Sequence, residues 1–268
     1  MLRIPKGELP TQTQNYLDGQ QEKIDALLDY PARVKAGKAL WDSKTNTKKG
    51  KERFDEVRAA LARLCPGARR CHYCEDSAAD EIEHLWPKNF YPDRVFRWGN
   101  YLYACGPCNG SSKGDRFAVF DEREERVDLV RGKNDPVVAP PAGDTVFVDP
   151  RREDPMDYLD LDLDTGIFIP RSPKGSRNYL RAKYTIEVLK LNTRDYLKHA
   201  RRSAYRSYLD ALRQYVSDKQ GGASENELAA KRREIEGRHH PTIWREMIRI
   251  RDRVPALAAL FAEAPELT

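Results

Sequence analysis

The 268-residue sequence has no run of about 18 apolar residues, the length that a membrane-spanning helix needs. Its first ten residues, MLRIPKGELP, lack the apolar segment of a secretory signal. Cysteine is scarce, with only 5 residues in the chain. We therefore expect a cytoplasmic protein without a membrane partner, in which closely spaced cysteines bind a metal rather than form disulfides.

Charge is abundant, at 33% of residues, and it is unevenly distributed. Residues 1–70 carry 15 basic and 9 acidic side chains, and residues 176–268 carry 19 basic and 12 acidic side chains. The segment between them is net acidic. Two basic flanks suit a partner with a phosphate backbone, because neutralised phosphates release counterions. The alternative is that these charges belong to solvated helix faces.

The hydrophobic pattern predicts an α+β fold that is mainly helical, in four regions. Residues 1–68 and 176–268 are predicted to be helical, residues 69–120 to form a compact unit of short segments, and residues 121–175 to connect them. The clearest helices are predicted over 52–64, 195–216 and 241–250, with a capping box at Ser224 and Glu227 opening another helix. His239 and His240 are expected to face solvent.

Extended segments are predicted mainly in the connector. The run YLDLDLDTGIFIP alternates apolar and acidic residues around Asp164-Thr165-Gly166, which predicts an acidic β-hairpin. Residues 118–120 and 145–148 are also predicted to be extended, and residues 135–144 to form a loop. The lysine-rich segment KTNTKKGKER is interpreted as a flexible basic loop, or else as a nucleic-acid contact.

Four of the cysteines form two Cys-x-x-Cys pairs, Cys71 with Cys74 and Cys105 with Cys108. Two such pairs can complete a closed four-thiolate zinc site, and glycines beside the second pair permit its tight turn. A zinc ion there would be structural, because a small loop-rich unit buries little apolar surface of its own. His72 would be a ligand only if the all-cysteine assignment failed, and Cys65 is expected to be inert.

Polar residues that the cysteines do not use suggest chemistry between the two pairs. His84 can act as a general base, because its ordinary pKa lies near ~6.5. Glu83 and Asn109 offer oxygen ligands of the kind that Mg²⁺ and Mn²⁺ prefer. Asn100 is placed to brace the loop carrying His84. On a regular strand Glu83 and His84 point to opposite faces, and they converge only at a strand end or bulge.

The order Cys-x2-Cys, Glu-His-x-x-Pro, Asn, Cys-x2-Cys-Asn-x3-Lys-Gly resembles the HNH, or ββα-metal, nuclease family. The resemblance implies a zinc-braced ββα core over residues 69–120, with His84 as base, Glu83 and Asn109 as ligands of a catalytic Mg²⁺ or Mn²⁺, and Asn100 as the central asparagine. Asn109 stands where many members carry a final histidine. Lys113, Arg116 and Lys88 are candidate nucleic-acid contacts, and DNA is the expected substrate.

A looser similarity, over roughly residues 1–215, is to HNH proteins paired with ABC-type or SMC-like ATPases in Septu-type and retron-associated anti-phage systems. It implies a nuclease effector with an ATPase partner. Outside the similar segment, Trp244, Met247, Ile248 and Leu257 are predicted to form an apolar face on the C-terminal region, directed toward an ATPase or a second copy of the chain. Two alternatives remain open: a catalytically silent zinc-ribbon binding module, and a standalone restriction or mobile-element HNH nuclease.

Overall fold

The computed structural model describes residues 1–268 as eight α-helices and three antiparallel two-stranded sheets. The helices are α1 (Thr11–Asp25), α2 (Tyr30–Asp42), α3 (Lys48–Arg63), α4 (Arg177–Val188), α5 (Asp195–Gln220), α6 (Glu225–Glu236), α7 (Pro241–Ile250) and α8 (Pro255–Glu263). The strands are β1 (Glu81–His84), β2 (Tyr101–Ala104), β3 (Ala118–Phe120), β4 (Arg126–Asp128), β5 (Leu159–Asp162) and β6 (Ile167–Pro170). The predicted α+β, mainly helical class is confirmed. None of these helices combines the length and the apolar character needed to span a bilayer.

Local residues of two kinds, capping side chains and an initial proline, mark where the predicted helices begin. Ser224 and Glu227 form the predicted capping box of α6, and Pro241 opens α7 as expected. The prediction of a flexible loop over KTNTKKGKER is wrong for its second half. There the Thr47 hydroxyl accepts the Gly50 N–H at 3.0 Å and starts α3 at Lys48.

The predicted acidic hairpin is confirmed as β5 and β6. Asp162 turns the chain by accepting hydrogen bonds from the backbone N–H groups of Asp164 and Thr165. Gly166 follows with φ +71°, and a Cβ there would lie 2.6 Å from the Lys198 carbonyl oxygen, so only glycine fits. The strand predicted over 145–148 is reduced to a single bridge, from Thr145 to Val119. Strand β4 was not predicted, because two of its three residues are exposed and charged and it lacks the apolar run that marks β3.

The β1–β2 sheet lies between two hydrophobic cores. Tyr101 and Tyr103 of β2 join a smaller core with side chains of α1, α2 and α3. Leu102 and Ala104, which alternate with them, join a larger core shared with the cysteines, the connector and the C-terminal helices. Each core therefore draws residues from more than one of the four predicted regions.

The apolar docking face expected on the C-terminal region is wrong. Met247 and Leu257 are buried in the larger core, and Trp244 and Ile248 pack against it. The Trp244 ring stacks on Tyr208 of α5 with centroids 5.4 Å apart. These side chains hold the C-terminal helices together, because a sequence pattern does not distinguish an internal apolar face from an external one.

Candidate metal centre and active site

The four paired cysteines come together in one buried cluster. All four sulfur atoms lie within 4.8 Å of one another, and all four residues are buried. The Cys74 and Cys105 sulfurs are 3.9 Å apart, far beyond a disulfide bond and close to the ~3.8 Å between sulfurs at the corners of a tetrahedral zinc site. The residues therefore fit a structural zinc ion, as the spacing predicts.

Backbone hydrogen bonds shape both cysteine turns. The Glu75 N–H donates to the Cys71 carbonyl at 2.9 Å, and the Asn109 N–H donates to the Cys105 carbonyl at 2.9 Å. His72 is not needed as a ligand, because its Nδ1 accepts the backbone N–H of Tyr103 at 3.0 Å and so ties the first turn to β2. Cys65 lies outside the cluster, and burial raises the pKa of its thiol to about 12.

A cation from the C-terminal region reaches the cluster. Arg194, directly before α5, donates from Nη2 to the Cys108 sulfur at 3.3 Å and to the Leu189 carbonyl at 2.8 Å. Burial alone would lower the pKa of Arg194, but the adjacent Cys108 sulfur raises it overall. Sequence reasoning missed Arg194, because it lies 86 residues from Cys108 and no local motif marks it.

Strand β1 presents its polar residues to opposite sides. Register pairs Glu83 with Leu102 and His84 with Tyr101, so Glu83 faces the cysteine side and His84 faces the N-terminal helices. No bulge interrupts this pairing. The structure therefore does not bring the two side chains together on one face of the strand.

His84 is buried, but it keeps one free ring nitrogen. Its Nε2 lies 2.9 Å from the Val95 carbonyl oxygen, and since a carbonyl only accepts, Nε2 carries the ring proton. Nδ1 has no hydrogen-bond partner. It is not completely enclosed by protein atoms, so its lone pair retains contact with solvent. The Trp41 ring packs edge-on at 4.2 Å. Burial, followed by the charge of Lys88, lowers the pKa of His84 to about 3, which keeps the imidazole neutral.

Glu83 is held by a lysine in the interior. Lys113 Nζ lies 2.6 Å from Glu83 Oε1 and also donates to the His84 carbonyl at 2.9 Å. Burial raises the pKa of Glu83, and the Lys113 charge opposes that rise. Tyr73 also donates to Oε1, at 3.4 Å, which leaves Oε2 as the oxygen without a protein partner. Since Lys113 is fully buried, a phosphate contact from it would require this ion pair to open.

Asn109 lies next to a carboxylate that sequence reasoning did not single out. It belongs to a seven-residue π-helical segment, Pro107–Lys113, and its Nδ2 donates to Glu81 Oε2 at 2.6 Å. Glu81 and Glu83 share one face of β1, as residues two apart on a strand do. No hydrogen bond joins Asn109 to Glu83, although Asn109 Oδ1 and Glu83 Oε2 remain available as oxygen ligands. The alternation in DEIEH is the signal that marked Glu81.

Asn100 fixes the backbone that follows His84. Its Oδ1 accepts the Trp86 N–H at 2.8 Å, while Nδ2 donates to the carbonyls of Trp86 and Arg94 at 3.0 and 2.9 Å. Among the expected nucleic-acid contacts, Arg116 is exposed and donates to the Ser112 carbonyl, and Lys88 is half-buried. These two remain on the surface, whereas Lys113 does not.

Comparison with known proteins adds one short match to this geometry. No protein-family model matches the sequence. Over 55 residues the chain is 42% identical to the Septu protein PtuB of Bacillus thuringiensis. The match covers 19% of this chain and 21% of that protein, so the chain spans about a fifth of the length of this relative. The similarity supports a PtuB-like relationship over this short segment, and the cysteine cluster could bind a metal.

Proposed function

We propose that this chain is a metal-dependent HNH-type endonuclease that cleaves nucleic acid, with DNA as the expected substrate. It would act as the effector of a cytoplasmic anti-phage system with an ATPase partner. The similarity to a Septu protein and the motif order around the cysteines support the proposal. The observation that carries it is the orientation of His84. The Val95 carbonyl holds Nε2 and fixes the ring tautomer, which leaves Nδ1 as the atom that can accept a proton.

In the proposed reaction, His84 Nδ1 takes a proton from the water that attacks the phosphodiester phosphorus. The carbonyl of Val95 holds the ring during this step, and it stabilises the imidazolium that forms by accepting from Nε2. Asn100 keeps the following backbone at Trp86 in place. Resemblance to the HNH family implies products with 5′-phosphate and 3′-hydroxyl ends.

Glu83 and Asn109 would hold the Mg²⁺ or Mn²⁺ ion, with Glu81 beside Asn109 as a further carboxylate. Because Glu83 and His84 face opposite sides of β1, they could act on one phosphate only at the end of the strand, where His84 is the last residue. Such an ion, when bound, supplies charge neutralisation at the phosphate and at the leaving oxygen. Glu83 Oε2 and Asn109 Oδ1 are oxygen donors of the right kind. Lys113 already contacts Oε1 of Glu83, so a metal bound at Oε2 would share the carboxylate with the lysine.

The same ion pair favours a second candidate, a catalytically silent zinc module that binds nucleic acid or protein. In that role Lys113 permanently neutralises Glu83, and the four cysteines are the only functional ligands.

Cleavage of plasmid and oligonucleotide substrates by the zinc-loaded protein, with Mg²⁺ or Mn²⁺ and with its genomic-neighbour ATPase, separates the candidates. We expect His84→Ala to abolish cleavage. The matched control is His199→Ala, since His199 is exposed on α5 and should leave the rate unchanged. Equal rates for His84→Ala and wild type would reject His84 as the base, and absence of metal-dependent cleavage by the wild type would favour the silent module.

A further inference from the structure

A cleft of about 780 Å³ opens between the N-terminal region, the loop after β1 and the turn at residues 149–152. Its volume lies within the ~300–1,000 Å³ that is usual for small-ligand sites. The lining has six basic and four acidic side chains, and its large apolar members are Trp86 and Trp98. An apolar ligand is therefore a poor match, and an anion that also carries hydrogen-bond donors is a good one.

The basic residues of the cleft divide into two groups. Arg33 and Arg97 pair with Asp25 at 3.0 and 3.1 Å, so their charge is largely neutralised. Arg94 and Arg152 are also paired, over longer distances of 3.6 Å to Asp93 and 3.7 Å to Asp149. Only Lys6 and Arg151 have no carboxylate partner, so the uncompensated positive charge of the cleft lies at these two residues.

Several N–H donors that belong to these lining residues are buried without a protein partner. They are Trp86 Nε1, Arg94 Nε, Arg151 Nη1 and Arg33 Nε. Trp86 is 8% exposed, and the Arg94 guanidinium lies over its ring at 4.2 Å. The Arg151 guanidinium lies over Trp98 at 4.9 Å. Native proteins seldom leave buried donors unpaired. Arg94 and Arg151 also line the open cleft, so rotation of these two side chains would present their donors to a bound acceptor group.

We propose that this cleft binds a phosphate-bearing nucleotide unit, either as a free nucleotide or as part of a nucleic-acid strand. A phosphate offers several acceptor oxygens to guanidinium and indole donors at once. The carboxylates of Glu8 and Asp93, which also line the cleft, suit the amino and hydroxyl donors of a base and a sugar. They disfavour inorganic phosphate, because its negative charge repels the carboxylates and it carries few hydrogen-bond donors.

The assignment can be tested separately from the nuclease proposal. Asn100 and Trp86 border both sites, but Lys6 and Arg151, on which the binding test depends, take no part in the proposed reaction. His84 lines none of this cleft. Binding can therefore be measured on the zinc-loaded His84→Ala protein, so a failure of catalysis does not obscure the result.

The test is titration of the full chain at low salt with ATP, with inorganic phosphate and with a short single-stranded oligonucleotide. Binding is followed by calorimetry and by tryptophan fluorescence, since two of the four tryptophans line the cleft. We expect Arg151→Gln to weaken binding of ATP or of the oligonucleotide by about tenfold or more, as for loss of a charge-assisted hydrogen bond. Lys6→Gln should weaken it about threefold, in the range of a single exposed charge. Lys6 is exposed and has no ion-pair partner, so this variant is expected to fold normally.

Arg202→Gln is the matched control, because Arg202 is exposed on α5 and lies outside the cleft. Tighter binding of ATP than of the oligonucleotide would identify a free nucleotide as the source of the phosphate, and the reverse would identify a strand. Three results would overturn the proposal. The first is that neither ATP nor the oligonucleotide saturates the protein up to about 1 mM. The second is equal affinity for inorganic phosphate and for ATP. The third is an equal loss of binding affinity in Arg202→Gln and in the cleft variants.

Discussion

Breaking the buried ion pair between Lys113 and Glu83 is expected to lower stability by a large and measurable amount. Its atoms are 2.6 Å apart, and the two side chains are 0% and 4% exposed. Lys113→Met keeps most of the side-chain volume and leaves the Glu83 carboxylate buried without its cation. Breaking a buried pair in this way typically costs about 3–5 kcal/mol. We therefore expect a loss of that size in the free energy of unfolding, measured by urea denaturation with zinc present in constant excess.

A matched surface pair and a double variant make the experiment decisive. Lys231 and Asp218 are also 2.6 Å apart, but their side chains are 36% and 25% exposed, so Lys231→Met should leave stability close to wild type. Adding Glu83→Gln to Lys113→Met removes the stranded charge and should restore much of the loss. If Lys113→Met is no more destabilising than Lys231→Met, then Lys113 does not hold Glu83 in the interior, and this description of the site is wrong.

Three further predictions follow from single contacts. Arg194→Gln removes the charged donor to Cys108 and should weaken zinc affinity about 10- to 100-fold, measured in competition with a chromophoric chelator. The control is Arg206→Gln, at an exposed residue of α5. Equal zinc affinities of the two variants would contradict the prediction. Burial raises the pKa of Asp149 to about 6, so the stability that its protonated form contributes is complete below pH ~4 and is lost as pH rises through about 6. Asp149→Asn should therefore stabilise the fold by up to about 3 kcal/mol at pH 8 but hardly at pH 4, and a pH-independent difference in urea denaturation would refute the assignment. Asn100→Ala leaves three backbone groups without their partner and should lower stability by roughly 3 kcal/mol or more in thermal melting, whereas a loss below about 1 kcal/mol would mean that water replaces the amide.

Local patterns predicted the parts of the fold that local physics determines. The cysteine pairs were recognisable from spacing, the capping box of α6 from Ser224 and Glu227, and the acidic hairpin from its alternation around Gly166. Each of these depends on residues close together in sequence, so a single chain is enough to identify them.

Contacts between distant segments were not predictable in the same way. Nothing near Lys113 indicates that its ammonium lies fully buried against Glu83, 30 residues earlier. His240 was expected to face solvent, but it is buried with Nε2 3.4 Å from an oxygen of Asp76. Trp41 of α2 packs on His84, a pairing that the helical pattern of the N-terminal region does not reveal. Such partners are selected by tertiary packing, which sequence periodicity does not encode.

The state of the His84 ring is the most direct test of the proposed chemistry. Long-range ¹⁵N–¹H correlation spectra of the zinc-loaded protein report the protonation of both nitrogens, and only five histidines need to be assigned, with His84→Gln identifying the signal. We expect a neutral ring at pH 7 with its proton on Nε2 and an unprotonated Nδ1. A protonated Nδ1, in either the other tautomer or the imidazolium, would contradict the assignment of His84 as the base.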